Sequence, residues 1–268
     1  MSRLDATFAR LRERNERALI AYLTAGDPTL EATGRLVVEA ERRGADVIEL
    51  GVPFSDPLAD GPVIQRAAQR ALAGGTSLIR VLELVKSVRA DVRAPIVLFT
   101  YYNPVLQFGL PAFAETAAKV GVDGVIVVDL PPEEAAPLAA DAERAGLDLV
   151  HLVAPTSTRD RLRVIARASR GFIYMVSLTG VTGERVALGN GIADQIRGLR
   201  LVTTKPICVG FGIGRPEQVA EVGKLADGVV VGSAIVRVVE EHATSPSLVT
   251  KVGDFIEQLK APLRAMAG

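Results

Sequence analysis

Short apolar, β-branched runs recur along the chain with turn residues behind them: Leu19 to Leu23, Val47 to Leu50, Pro95 to Phe99, Gly124 to Val128 and Leu149 to Val153, then Phe172 to Val176, Pro206 to Val209 and Gly228 to Val231. These read as eight strands. The segments between them carry apolar residues at helical spacing, as in Leu30 to Arg43, Val63 to Ala73, Glu133 to Ala145 and Pro216 to Leu225. Eight alternating strand and helix units predict an α/β fold, a closed parallel (β/α)8 TIM barrel with extra N-terminal and loop helices. Asp27-Pro28, Gly61-Pro62 and Arg215-Pro216 place proline near a first helical turn, where its missing N–H costs nothing. No linker or charge run interrupts the series, so residues 1–268 read as one domain.

Two intervals exceed an ordinary connection. Gly51 to Pro95 holds a loop and two helical segments, the second opened by Gly74-Gly75-Thr76-Ser77, and Ser177 to Gly191 is rich in glycine with little apolar periodicity. Both follow strand C-termini, the face on which barrel enzymes keep their chemistry. The stretch from Leu178 to Gly191 is expected to act as a lid, with Arg185 as its only Arg or Lys.

Composition narrows the chemistry. Lys plus Arg and Asp plus Glu are 31 each, so the formal net charge is zero and no basic excess exists to neutralise a nucleic acid; with 4% aromatic residues and no Trp there is no stacking platform either. The single Cys208 forms no internal disulfide, and two His are too few for an ordinary zinc site. The N-terminal segment lacks the apolar core of a signal peptide and no apolar run is long enough to span a membrane, so a cytoplasmic location is expected. None of Lys86, Lys119, Lys205, Lys224, Lys251 and Lys260 falls at a strand C-terminus, which leaves a Schiff-base aldolase without its nucleophile.

Strand alternation puts Glu49 on one face with Val47 and Gly51, opposite Ile48 and Leu50. If the latter two pack on the helices, Glu49 points into the barrel, where an ionised carboxylate is costly without a cation, hydrogen bonds or a raised pKa. Asp60 follows in the proline-rich loop from Pro53 to Pro62. Spacing leaves it open between a helix cap and an acid/base partner of Glu49. Glycines end the seventh and eighth strands, Gly210-Phe211-Gly212-Ile213-Gly214 and Gly232-Ser233-Ala234-Ile235, and predict backbone phosphate binding. Tyr22, Tyr101, Tyr102 and Tyr174 fall near strand ends and suit either a pocket or the core. His151 reads as a hydrogen-bonded wall residue and Cys208 as buried and inert.

These motifs resemble the α subunit family of tryptophan synthase over essentially the whole chain. The resemblance is carried by Leu23-Thr24-Ala25-Gly26-Asp27-Pro28, by Glu49-Leu50-Gly51-Val52-Pro53-Phe54-Ser55-Asp56-Pro57 running on to Ala59-Asp60-Gly61-Pro62, and by Tyr174 with Gly180-Val181-Thr182-Gly183. It implies retro-aldol cleavage of indole-3-glycerol phosphate to indole and glyceraldehyde 3-phosphate. Glu49 would deliver a proton to indole C3, and Asp60 would accept a hydrogen bond from the indole N–H. The phosphate would rest on Gly183, Gly212, Gly232 and Ser233, while Tyr22, Phe99, Tyr101, Asp129, Leu152, Tyr174 and Thr182 would line the substrate pocket. The resemblance also implies no cofactor in this chain and a partner, the pyridoxal-phosphate-dependent β subunit, in an α2β2 heterotetramer; the stiff, proline-held loop from Pro53 to Pro62 is expected to meet that partner through Asp56 and Pro57. Leu178 departs from members that carry Arg after the sixth strand. A phosphosugar isomerase and a catalytically idle barrel that only gates its partner are the competing readings; the pairing of Asp60 with Glu49 weighs against both.

Overall fold

The computed structural model describes residues 1–177, 188–210 and 212–264, and the side chains of 188–191 also lie outside the description. Among the described residues nine strands form one parallel sheet: β1 (Ala18–Thr24), β2 (Val47–Gly51), β3 (Ile96–Thr100), β4 (Gly124–Val127), β5 (Asp148–Val150), β6 (Leu152–Val153), β7 (Ile173–Val176), β8 (Ile207–Gly210) and β9 (Gly228–Val231). Their order is β5-β4-β3-β2-β1-β9-β8-β7-β6. The two ends of that order are successive pieces of a single stave, so the sheet is a barrel of eight staves.

The fifth stave departs from the sequence pattern. Leu149 to Val153 was expected as one strand, but β5 pairs only with β4 and β6 only with β7, with His151 between them. The backbone hands over at that residue: His151 O accepts from Tyr174 N at 3.2 Å, and Ser169 Oγ accepts from His151 N at 3.3 Å. The His151 side chain is also not the hydrogen-bonded wall group expected. Its Nε2 is buried with no hydrogen-bond partner, and burial, reinforced by the nearby Arg161 charge, pushes the imidazole down to about 4.

Twelve α-helices surround the staves among the described residues: α1 (Arg3–Glu13), α2 (Leu30–Arg42), α3 (Pro62–Ala73), α4 (Leu78–Val88), α5 (Tyr102–Phe108), α6 (Leu110–Val120), α7 (Ala136–Ala145), α8 (Arg159–Ala168), α9 (Leu188–Arg200), α10 (Pro216–Gly223), α11 (Ser233–Glu241) and α12 (Leu248–Lys260). Pro62 and Pro216 open α3 and α10 as predicted, whereas Pro28 precedes α2, whose cap is Thr29 with its Oγ1 accepting from Ala32 N at 3.1 Å. Helix α7 starts three residues later than the pattern suggested, after Pro131 and Pro132 have turned the chain. Helix α9 takes in Gly189 and Gly191, so the last residues of the expected lid are helical; Leu178, Gly180, Val181, Thr182, Gly183 and Arg185 lie outside the described residues.

The period of two along each strand divides the core. Leu19, Ala21 and Leu23 of β1, Ile48 and Leu50 of β2, and Ile96 and Leu98 of β3 pack outward under the helix ring. Ile20 and Tyr22, Val47, and Val97 and Phe99 turn inward with Ile126, Val150, Phe172, Tyr174, Cys208 and Val230. Helix α1 closes the N-terminal end, where Leu4, Phe8 and Leu11 join this inner cluster and the Phe8 and Phe172 rings lie 5.8 Å apart. The opposite, C-terminal end is open to the loops.

Candidate active site

Glu49 sits in the middle of β2 on the inward face with Val47, because Ile48 and Leu50 satisfy the helix layer. It is 1% exposed, and Oε2 has no hydrogen-bond partner. Burial and the neighbouring Asp60 charge push its carboxyl up to about 8. A group in that state is a neutral acid at pH 7 with its proton uncommitted.

Asp60 is brought over the barrel mouth by the loop that follows β2. Turns hold the loop: Leu58 N donates to Asp56 O at 2.9 Å and Asp60 N to Pro57 O at 3.1 Å. The carboxylate does not cap α3. Gly61 is the N-cap, with no side-chain cap bond, while Asp60 Oδ2 accepts from the Tyr101 hydroxyl at 3.1 Å. The same hydroxyl accepts from Ala59 N at 3.0 Å, and the Tyr101 ring lies 5.1 Å from that of Phe54. Burial raises Asp60 to about 6, and the Tyr101 hydrogen bond opposes the rise. Asp60 therefore ionises first, and its charge then helps keep Glu49 protonated. The pair is split into one acid and one anion at neutral pH, an arrangement suited to acid/base chemistry.

The walls come from facing strands. Tyr22 of β1 is the register partner of Glu49, and its ring meets Phe99 edge-on at 5.7 Å. A Cβ at Gly51 would overlap the Tyr22 hydroxyl, and one at Gly210 would overlap that of Tyr174, so these two glycines make room for the two rings. Burial raises the pKa values of both phenols well above their ordinary value, so both are neutral. Thr24 donates from Oγ1 to the Tyr22 oxygen at 3.5 Å, a contact that its place in the stretch from Leu23 to Pro28 does not reveal. Leu152 is half-buried in the inner layer. Asp129 is exposed, and its Oδ1 accepts from Tyr102 N at 2.7 Å across the start of α5. Tyr102, near a strand end in the sequence, is the first residue of that helix.

At the mouth beyond β8 and β9, Gly212 adopts φ +76°, a left-handed conformation that a side chain would strain. Gly232 is the N-cap of α11 with no side-chain cap bond, which leaves the first N–H groups of Ser233 and its neighbours open as anion donors. The N-terminus of α10 is instead covered by Gln218 Oε1, which accepts from Gly214 N and Arg215 N at 3.1 Å. Phe211, Thr182 and Gly183 lie outside the described residues. Asp56 and Pro57 stand on the outer part of the loop, with Leu58 beside them 96% exposed.

Residues 8–263 match the family described as tryptophan synthase alpha chain. The tryptophan synthase alpha chain of Geotalea uraniireducens is 50% identical over 268 residues, covering 100% of both chains, and that of Geobacter sulfurreducens is 50% identical over 260 residues, covering 97% of this chain and 98% of the relative. Among solved structures, the alpha subunit from Legionella pneumophila superposes with a TM-score of 0.91 at 37% identity, covering 98% of each chain. A ligand-free tryptophan synthase structure from M. tuberculosis superposes at 0.89 and 36% identity, covering 98% of this chain and 100% of that one. With a barrel of this shape, full-length identity near one half and a match from residue 8 to residue 263, the chain belongs to the tryptophan synthase alpha chain family.

Proposed function

We propose that Glu49 and Asp60 are the catalytic pair with which this chain cleaves indole-3-glycerol phosphate. The chain is a lyase of that reaction by its family. The observation that carries the residue assignment is the buried, unpartnered Glu49 carboxyl, neutral at pH 7, beside an ionised Asp60. Glu49 gives its proton to indole C3, forming a C–H bond and making the ring a leaving group. Asp60 accepts from the indole N–H and stabilises the positive charge that develops on the ring. The C3–C3′ bond then breaks with its electron pair remaining on the ring. The proton of the C3′ hydroxyl returns to Glu49 as the aldehyde forms, so the carboxyl ends as it began.

Gly212, Gly232 and Ser233, with Gly183, hold the phosphate, and the open N-terminus of α11 supports that role. Tyr22, Phe99, Tyr101, Asp129, Leu152, Tyr174 and Thr182 line the pocket. The chain acts as one domain, in the cytoplasm, and needs no cofactor of its own. Its partner is the β subunit that carries pyridoxal phosphate, in an α2β2 assembly, and the exposed loop around Asp56, Pro57 and Leu58 is the surface offered to it. The test is indole release from indole-3-glycerol phosphate by the purified chain, its Glu49→Gln variant and its Asp60→Asn variant. Each substitution is expected to lower turnover by about 10²-fold or more. Near-normal release by either variant removes that residue from the pair.

A further inference from the structure

The ring of Tyr22 serves as a pocket wall, but acid/base chemistry by Glu49 and Asp60 leaves its hydroxyl without a task. Tyr22 and Glu49 are cross-strand partners on the inward face of β1 and β2. The Tyr22 ring leans across toward β2, since its hydroxyl occupies the space a Cβ on Gly51 would take. Gly51 is two residues beyond Glu49 on the same face, about 7 Å nearer the mouth. The hydroxyl therefore stands one inward position nearer the mouth than Glu49, where it feels the charges of both the Asp60 and the Glu49 carboxyls. Thr24 Oγ1 donates to the phenolic oxygen, so the phenolic proton turns away from Thr24, and among the described residues it has no acceptor. Glu49, one inward position deeper on β2, has its Oε2 buried and without a hydrogen-bond partner. The ring is already held edge-on by Phe99 at 5.7 Å, so packing alone would be served by a phenylalanine.

We propose that Tyr22 is a positioning residue for the cleavage reaction: its hydroxyl, oriented by Thr24, donates a hydrogen bond to Glu49 Oε2 once that carboxyl has given its proton to the substrate. This rests on the assignment of Glu49 as the proton donor. The hydrogen bond holds the transient carboxylate in place for the proton that returns from the C3′ hydroxyl, and no net proton is gained or lost by Tyr22. In the resting enzyme Glu49 is neutral and the donor is idle, which accounts for a buried Oε2 that has no hydrogen-bond partner.

The other groups that face Glu49 do not obscure the test. Asp60 approaches from the loop with Tyr101 bonded to it, Tyr174 comes from β7 and Cys208 from β8. Tyr174 and Cys208 are held neutral by burial, so Asp60 is the one neighbour among them that changes charge between pH 5 and 8.

The experiment is the pH dependence of indole release by the full chain, with kcat and KM separated, for wild type, Tyr22→Phe, Thr24→Val and Thr24→Ser. In Tyr22→Phe the carboxylate loses a donor, so kcat is expected to fall about tenfold while KM stays within about twofold. The alkaline limb, where Glu49 loses its proton, should move up by about one pH unit. Thr24→Val should reproduce part of both effects and Thr24→Ser neither. A purely structural role would change KM or Tm and leave the alkaline limb in place, which overturns the proposal, as does an unchanged kcat in Tyr22→Phe. Should Tyr22→Phe fold poorly, the alkaline limb of Thr24→Val decides between the same two outcomes. An inactive wild type would refute the catalytic reading as a whole, whereas an active wild type with an unmoved limb in the variants refutes only the role of Tyr22.

Discussion

Replacing Tyr101 by Phe removes a single hydroxyl from the most informative contact of the site. That hydroxyl donates to Asp60 Oδ2 at 3.1 Å and accepts from Ala59 N at 3.0 Å, while the ring rests 5.1 Å from Phe54 and would stay there. A hydrogen bond to a carboxylate contributes about 1.5–3 kcal/mol when water is excluded. Asp60 is only half-buried, so water replaces part of the loss, and about 1.4 kcal/mol is the appropriate figure, or about one pH unit. The bond favours the ionised form, so its loss raises Asp60 from about 6 toward 7. The active state needs Asp60 ionised and Glu49 protonated, so the acid limb of kcat moves up while the alkaline limb near 8 stays. At pH 6 the ionised fraction falls about fivefold and at pH 7 about twofold, and activity is regained toward pH 8. Steady-state indole release from pH 5 to 9.5 measures this directly. An acid limb that stays in place, or moves down, would refute the claim that Tyr101 sets the charge of Asp60.

The same carboxyl chemistry affects stability. Glu49 is raised from 4.5 unfolded to about 8 folded, so the folded state binds the extra proton between those values and wild-type stability falls as pH rises through that window; the Tm of Glu49→Gln should exceed that of wild type at pH 8 and converge with it toward pH 4.5, and a gap independent of pH would contradict this. Gly212→Leu or Gly232→Leu should weaken binding of glycerol phosphate, measured by calorimetry, by placing a side chain where the anion meets backbone N–H groups; undiminished affinity in both would move the phosphate elsewhere. Arg70 forms two 2.8 Å bonds to the buried Asp27 and a third to Glu240, so Arg70→Met should cost about 3 kcal/mol in urea unfolding by stranding the Asp27 charge, and adding Asp27→Asn should restore part of it. No recovery in the double variant would mean that the Arg70 stem, not the charge, supports the fold.

Local pattern was enough for the architecture. A period of two over Val47 to Gly51 already places Glu49 opposite Ile48 and Leu50, and the structure has that division, because which face a strand residue occupies depends only on its neighbours in sequence. The prolines at Pro62 and Pro216 marked helix starts for the same local reason. What the chain does with its fifth stave was not legible: Leu149 to Val153 is almost uniformly apolar, and the break at His151 arises because one piece must register with β4 and the other with β7. The charge states of the site are likewise tertiary. Asp60 looked equally suited to capping α3 until Tyr101, 41 residues away, took its carboxylate. Glu49 is an acid at neutral pH only because β1, β3, β7 and the loop after β2 exclude water from it and bring a second carboxylate near. Sequence alone determined the barrel and the direction in which Glu49 points, since those follow from backbone periodicity; the proton on Glu49, the anchor of Asp60 and the lean of Tyr22 toward Gly51 were decided by the tertiary structure, because desolvation and hydrogen bonding depend on groups that meet only when the barrel closes.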